Sequence, residues 1–235
     1  MRNVFSLLLF LTLLSCKGQN SNNNLSTSSK IGPDDFEKAI QNANVQVLDV
    51  RTSGEFQRGH IKNALQADMR NMEEFAGRVQ HMDKNKPVYL YCLVGNRSAY
   101  AADWMRENGF TNVVELAGGI NSWKMYNKPV EGVTNEPQIT LEQFMASIPT
   151  DKTTLVDFGA KWCPPCVKME PVLEELKNNK QIDFNLVKID GGLHTNLMAA
   201  LQLEPIPVSI IYKRGKEVWR KQGIIPKEEL IAQLK

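Results

Sequence analysis

The sequence predicts an α/β protein built as two domains, the first around a largely parallel sheet. Three observations carry this. The chain has 235 residues, and a domain usually runs to roughly 100–150, so two small domains fit better than one large one. Short β-branched and aromatic runs at 45–50 and 88–91 alternate with stretches of helical spacing such as 98–108, which Gly109 stops. Between the halves, residues 127–138 carry Pro129, Gly132 and Pro137 with little apolar periodicity, the mark of a connection. The expected division is a first domain over 31–130, a linker over 131–137 and a second domain over 138–235.

The segment before the first domain is of another kind. Arg2 leads into an apolar run of the length of a signal-peptide core, too short to span a bilayer comfortably, so residues 1–15 are expected to be removed. Leu13-Leu14-Ser15-Cys16 then resembles the bacterial lipobox, with Leu three residues before the cysteine and a small Ser directly before it. That resemblance implies lipidation at Cys16, attachment to a membrane by the lipid anchor only, and domains outside the cytoplasm in the cell envelope. Lys17 after the cysteine leans the same resemblance towards the outer membrane. Residues 16–30, rich in Asn and Ser, have almost nothing apolar to bury and read as a disordered tether. Lys and Arg total 28 against 26 Asp and Glu, interspersed throughout. No basic stripe points to nucleic acid and no acidic tail to a solvating segment.

Three cysteines remain in the mature chain, Cys92, Cys163 and Cys166. A secreted domain stapled by disulfides usually carries more, and an odd count leaves one thiol over, so these cysteines read as chemistry.

In the first domain, Pro33 with Asp34 and Asp35 opens a helix, and 45–50 and 88–91 read as strands. Cys92-Leu93-Val94-Gly95-Asn96-Arg97-Ser98 follows the second strand as a tight loop into a helix. Backbone N–H groups at such a helix start favour a thiolate and an anion beside it, which places Cys92 as a nucleophile. Gly95 supplies the positive φ such a curl needs, and Arg97 offers a planar cationic fork to an oxyanion. This CxxGxRS loop, with Leu48-Asp49-Val50-Arg51 through Glu55-Phe56, Gly59-His60-Ile61, Gly118-Gly119-Ile120 and Trp123, resembles a rhodanese domain. The resemblance implies sulfane-sulfur transfer through a persulfide on Cys92, with Leu93, Val94, Gly95, Asn96 and Arg97 binding substrate. Related phosphatases use a loop one residue longer, so four residues between Cys92 and Arg97 favour sulfur. Asp49 and Arg51 are expected to brace the loop, and His60 to serve as a structural hydrogen-bonder rather than a general base. The plain alternative for Cys92 is an inert thiol at a strand end.

The second domain opens on Thr140 and Gln143, spaced as a capping box. A strand then leads to Trp162-Cys163-Pro164-Pro165-Cys166, which puts Cys163 at a helix start and Cys166 one turn in. The helix start stabilises the thiolate of an exposed Cys163, so Cys163 is expected to attack and Cys166 to resolve the mixed disulfide. The whole segment resembles thioredoxin, which implies a mixed central sheet. It also implies a redox disulfide between Cys163 and Cys166, a buried acid at Asp157 assisting the resolving thiol, and a substrate surface of Trp162, Ile206 and a cis Pro207. Two departures stand out: Gly159 takes the place of a tryptophan beside the active site, and the central pair is Pro164-Pro165. A permanent disulfide is the plain alternative. A single CxxC without a second ligand pair is a poor basis for zinc, even with His194 nearby; no metal and no cofactor are expected.

Together these features describe an exported thiol-disulfide oxidoreductase coupled to a sulfurtransferase. Its expected partners are protein thiols or disulfides, small sulfane-sulfur donors, and an upstream reductant or oxidant protein. The spacing leaves reductase, oxidase and isomerase all open. The other reading makes the first domain a non-catalytic module that docks clients onto a reductase.

Overall fold

The computed structural model describes residues 29–132, 137–203 and 205–235. The leader, Cys16, the tether up to residue 28 and linker residues 133–136 lie outside the described residues.

In chain order the first domain runs β1 (Ser29–Ile31), α1 (Pro33–Ile40), β2 (Gln46–Asp49), α2 (Ser53–Gln57), β3 (Ala64–Gln66), α3 (Met72–Val79), β4 (Val88–Tyr91), α4 (Asn96–Glu107), β5 (Val113–Leu116) and α5 (Gly119–Met125). The strands form one sheet in the order β1-β5-β4-β2-β3, and every pairing is parallel. Parallel strands are covered on both faces and therefore read as continuous apolar runs. Leu48 and Leu90 face Phe75, Val79 and Met105 on one side. Val47 and Tyr91, pointing the other way, meet Phe36, Phe56 and Trp123. The tether ends earlier than expected: Ser29 and Lys30 pair with Val114 and Glu115 as the sheet's edge strand. Glu131, expected to begin the linker, likewise belongs to the first domain, exchanging two backbone hydrogen bonds of 2.8 Å with His60.

The second domain runs α6 (Leu141–Ser147), β6 (Thr154–Gly159), α7 (Pro164–Lys177), β7 (Asn185–Asp190), α8 (Thr195–Ala200), β8 (Val208–Lys213), β9 (Lys216–Gln222) and α9 (Lys227–Leu234). Its sheet, ordered β7-β6-β8-β9, pairs β6 with β7 in parallel and the rest antiparallel, so it is mixed. Thr140 and Gln143 form the capping box at the start of α6. The two faces of this sheet bury separate cores, one around Phe144, Phe158 and Tyr212 and one around Leu155, Leu173 and Ile211.

The edge strand β3 ends on the second domain. The Gln66 N–H donates to the Trp162 carbonyl at 2.7 Å, and Gln57 Nε2 donates to the Gly192 carbonyl at 2.8 Å. An edge capped in this way has no free row of donors left to pair with another chain.

Candidate functional site: two cysteine centres on either side of a shared helix

The turn after β4 places Cys92 at a strand end, and the loop closes over its sulfur. Gly95 takes φ +110°, a conformation costly to any residue with a Cβ, and its N–H points back at Cys92 Sγ over 3.1 Å. Burial pushes the Cys92 thiol up, but the N–H groups of Ser98, Gly95 and Val94 and the Ser98 hydroxyl outweigh it, and the thiol lies below its ordinary value. Leu93 and Val94 stand exposed on the loop while Cys92 itself is buried. From behind, the first turn of α5 donates to the same loop, Ile120 N–H to the Cys92 carbonyl at 2.9 Å and Asn121 N–H to the Leu93 carbonyl at 3.1 Å.

Arg97 is engaged by a carboxylate. Its guanidinium makes two hydrogen bonds, 2.8 and 2.7 Å, to the carboxylate of Glu55 on α2. The Arg97 fork, together with capping-box donors from Thr52, holds the Glu55 carboxyl down at about 2, against its partial burial. Asp49 and Arg51 form a buried pair that also takes in the Gly59 carbonyl, at 2.7 Å from Arg51 Nη2. The pair reaches the Cys92 strand through Tyr91, whose ring lies 5.7 Å under the Arg51 guanidinium and whose hydroxyl accepts from Ile61 N–H at 2.9 Å. His60 stacks on Phe56 at 3.7 Å, and its Nδ1 lies 3.0 Å from the Phe56 carbonyl, so it is a donor there. Burial lowers the His60 ring below its ordinary value.

At the second centre, Cys163 is the N-cap of α7, and its sulfur accepts from the Cys166 N–H at 3.3 Å. The two cysteines are joined as a disulfide. The Ile206–Pro207 peptide is cis, and the Ile206 carbonyl lies 3.7 Å from Cys163 Sγ. Below the disulfide, burial raises the Asp157 carboxyl to about 6, with Lys188 opposing and Glu170 adding to the shift.

One expectation is overturned here. Cys163 was expected as the exposed cysteine of the pair, yet its exposure is 0% against 8% for Cys166. Trp162, beside it, is clasped by the first domain. Phe56 lies 5.5 Å from the indole and the Arg78 guanidinium stacks over it at 5.4 Å, while Gln66 holds the Trp162 carbonyl. Gly192 backs onto the same ring so closely that a Cβ there would lie 2.4 Å from Trp162 Cζ2.

The five-residue helix α2 therefore serves both centres. Glu55 holds the arginine of the Cys92 loop, while Phe56 and Gln57, the next two residues, hold Trp162 and Gly192. Sequence reasoning singled out neither Glu55's role nor Gln57, Gln66 and Arg78. Thr52 and Glu55 have capping-box spacing, which marks a helix start; the contacts of the other three depend on how the domains meet. Among the described residues no group of three His, Cys, Asp or Glu side chains gathers as a metal site, and no helix is long and apolar enough to cross a membrane.

A parallel α/β domain with a cysteine cradled at a helix start, followed by a mixed sheet with a Cys-Pro-Pro-Cys helix and a cis proline, defines a sulfur-handling redox protein of two modules. Residues 32–126 match the family model described as Rhodanese-like domain, and residues 136–235 match Thioredoxin. The chain belongs to the thioredoxin family through its second domain and carries a rhodanese-like domain before it. It is 34% identical over 103 residues to the thioredoxin of Mycoplasmoides gallisepticum, covering 44% of this chain and 97% of that one. It is 39% identical over 85 residues to the chloroplastic thioredoxin Y of Oryza sativa subsp. japonica, 36% of this chain and only 51% of the relative. A tRNA uridine(34) hydroxylase of Pelagibacter ubique is 31% identical over 212 residues, covering 89% of this chain and 67% of the relative.

Proposed function

We propose that this protein is an exported thiol-disulfide oxidoreductase coupled to a sulfurtransferase, held at the cell envelope by a lipid on Cys16. The two modules support redox and sulfur-transfer chemistry in general; the observation that carries the coupling is α2, which grips the Cys92 loop through Glu55 and the Cys163 face through Phe56 and Gln57. The Cys92 thiolate attacks the sulfane sulfur of a small donor such as thiosulfate; the donor S–S bond breaks, sulfite leaves with the electron pair, and Cys92 carries a persulfide. In the reduced second domain the Cys163 thiolate attacks the outer sulfur, and Cys92 leaves as a thiolate. Cys166 then attacks the Cys163 sulfur, hydrosulfide departs, and the disulfide closes. Tethering the two centres in one chain raises the effective concentration of each at the other. On this reading Leu93, Val94, Gly95, Asn96 and Arg97 line the donor site, with the Arg97 guanidinium oriented by its pairing with Glu55.

The test exposes the reduced protein to thiosulfate and follows sulfur added at Cys92 by intact mass, beside Cys163→Ser. The persulfide is expected to form in both and to persist only in the variant; equal decay in both would break the relay. The second reading, a first domain that only docks, is favoured by its hold on Trp162. A folded protein whose Cys92 gains no mass would support it.

A further inference from the structure

Gly159 stands at the end of β6 with no side chain between Asp157 and the disulfide. A Cβ there would lie 3.2 Å from Asp157 Oδ2, 3.5 Å from Cys166 Cβ and 3.7 Å from Cys166 Sγ. What a bulky residue would fill is instead a pocket of about 510 Å³, lined by Asp157, Ala160, Cys166, Val167 and Ile189 among others. Cys163 is not in its wall. The pocket therefore meets the disulfide at Cys166, while Cys163 is fully buried with the Ile206 carbonyl 3.7 Å from its sulfur. Asp157, only 7% exposed, also lines the pocket, and its Oδ1 has no hydrogen-bond partner in the protein. A buried carboxylate oxygen left over in this way calls for a proton or a donor from a ligand.

We propose that the Gly159 pocket is where a low-molecular-weight aliphatic thiol reduces the disulfide, by attack on Cys166 rather than on Cys163. Asp157 takes the thiol proton as the incoming sulfur bonds to Cys166 Sγ. The Cys163–Cys166 bond breaks, and its electron pair goes to Cys163. That sulfur is the better leaving group, because it sits at the start of α7 and accepts the Cys166 N–H at 3.3 Å. A second thiol, its proton passing to the Cys163 thiolate, then attacks the small-molecule sulfur of the mixed disulfide. Cys166 leaves as a thiolate and recovers the proton from Asp157, and the small disulfide departs. Two thiols are oxidised and one protein disulfide is reduced. The walls from Ala160, Val167 and Ile189 suit the aliphatic part of such a thiol, and the pocket is too small for a folded protein surface. This assignment rests on the reading that the pair cycles between dithiol and disulfide, and it supplies that cycle's electron source from the side the first domain leaves open.

The test treats the oxidised full chain with 2-mercaptoethanol, traps with excess N-ethylmaleimide and sequences the tryptic peptide from Trp162 to Lys168 by mass spectrometry. Mercaptoethanol on Cys166 with maleimide on Cys163 is expected, in about 10-fold excess over the reverse pattern. The reverse pattern would overturn the site while leaving the cycle intact. A disulfide that no thiol opens, dithiothreitol included, would sink the cycle and this site with it. Filling the pocket with Gly159→Leu is expected to slow opening by 2-mercaptoethanol about 10-fold; an unchanged rate in the folded variant counts against the site. Should that variant fold poorly, the adduct pattern on the unaltered chain decides the matter alone.

Discussion

The two cysteine centres begin from one device and end in different chemistry. At both, a buried strand delivers a cysteine to the start of a helix, where N–H groups and the helix dipole favour a thiolate. At Cys92 four loop residues separate the cysteine from Arg97, and the chain uses them to wrap backbone donors around a single sulfur. At Cys163 two prolines stand between the cysteine and a second sulfur, and the donor nearest the first sulfur is the N–H of Cys166 itself. The first arrangement lowers the pKa of one thiol through backbone donors; the second makes a two-electron couple and adds an acid beneath it. The contrast teaches that the helix start favours thiolate character, while the following residues decide whether the sulfur stands alone among backbone donors or is half of a disulfide pair.

The strongest way to break the first centre without touching the second is Gly119→Ala. Gly119 takes φ +61°, and a Cβ there would lie 2.5 Å from the Cys92 carbonyl oxygen and 2.7 Å from Leu93 backbone atoms. Only backbone is in the way, so the loop or α5 has to move, and the donors from Ile120 and Asn121 move with it. A cost of about 3 kcal/mol or more is expected in urea unfolding, with loss of sulfur loading on Cys92. Loading at the parent rate would show that the α5 turn is no part of the cradle.

The second centre is sharpened by Asp157→Asn. In the folded protein the carboxyl titrates at about 6 rather than 3.8, because burial penalises the charged form. A raised carboxyl costs stability wherever the group is ionised in the native state. That cost is absent below about pH 4, grows between pH 4 and 6, and is complete above. The amide never ionises, so the variant is expected to be more stable than its parent by about 3 kcal/mol at pH 8, with the gain shrinking away towards pH 4. Urea midpoints of the oxidised proteins across that range measure it, and a gain that does not depend on pH would refute the assignment. Reduction by small thiols is expected to slow in the same variant.

What the sequence made legible follows its local physics. The capping box at Thr140, the curl at Gly95 and the strand 88–91 are each set by residues within a few positions, so local spacing pointed to them, while the cis bond at Pro207 was implied by the resemblance to thioredoxin. Gly159 was legible as a missing tryptophan, but not as a pocket, since that needs Asp157, Cys166 and Ile189 in three dimensions. Cys163 was expected to be exposed as the attacking first cysteine of the CxxC, yet it is buried. Cys163 packs in the second domain's own core, and the clasp on Trp162 beside it comes from residues about a hundred positions away, Phe56, Gln66 and Arg78; no local pattern encodes how one folded domain lies on another. Glu55 falls between these cases: its cap to Thr52 is three residues away, and its pairing with Arg97 is not.

Glu55 is also where the comparison between the centres becomes one question about α2. Its carboxyl, held at about 2, lies below its ordinary 4.5, so the ion pair stabilises the fold above about pH 4.5 and that contribution is lost as the pH falls towards 2. Glu55 and Arg97 are 18% and 23% exposed, so water screens part of the interaction, and a cost of about 1 kcal/mol at pH 7 is expected for Glu55→Gln, fading near pH 2. Glutamine keeps the capping-box geometry, so the helix itself should persist. The informative reading is on function. If α2 merely links two independent modules, only sulfur loading at Cys92 falls. If it couples them, releasing Arg97 also loosens Phe56 and Gln57 on Trp162 and Gly192, and iodoacetamide reaches reduced Cys163 faster in the same variant. Faster alkylation of Cys163 is the expected result, because a five-residue helix has no internal hinge by which one end can move and the other stay.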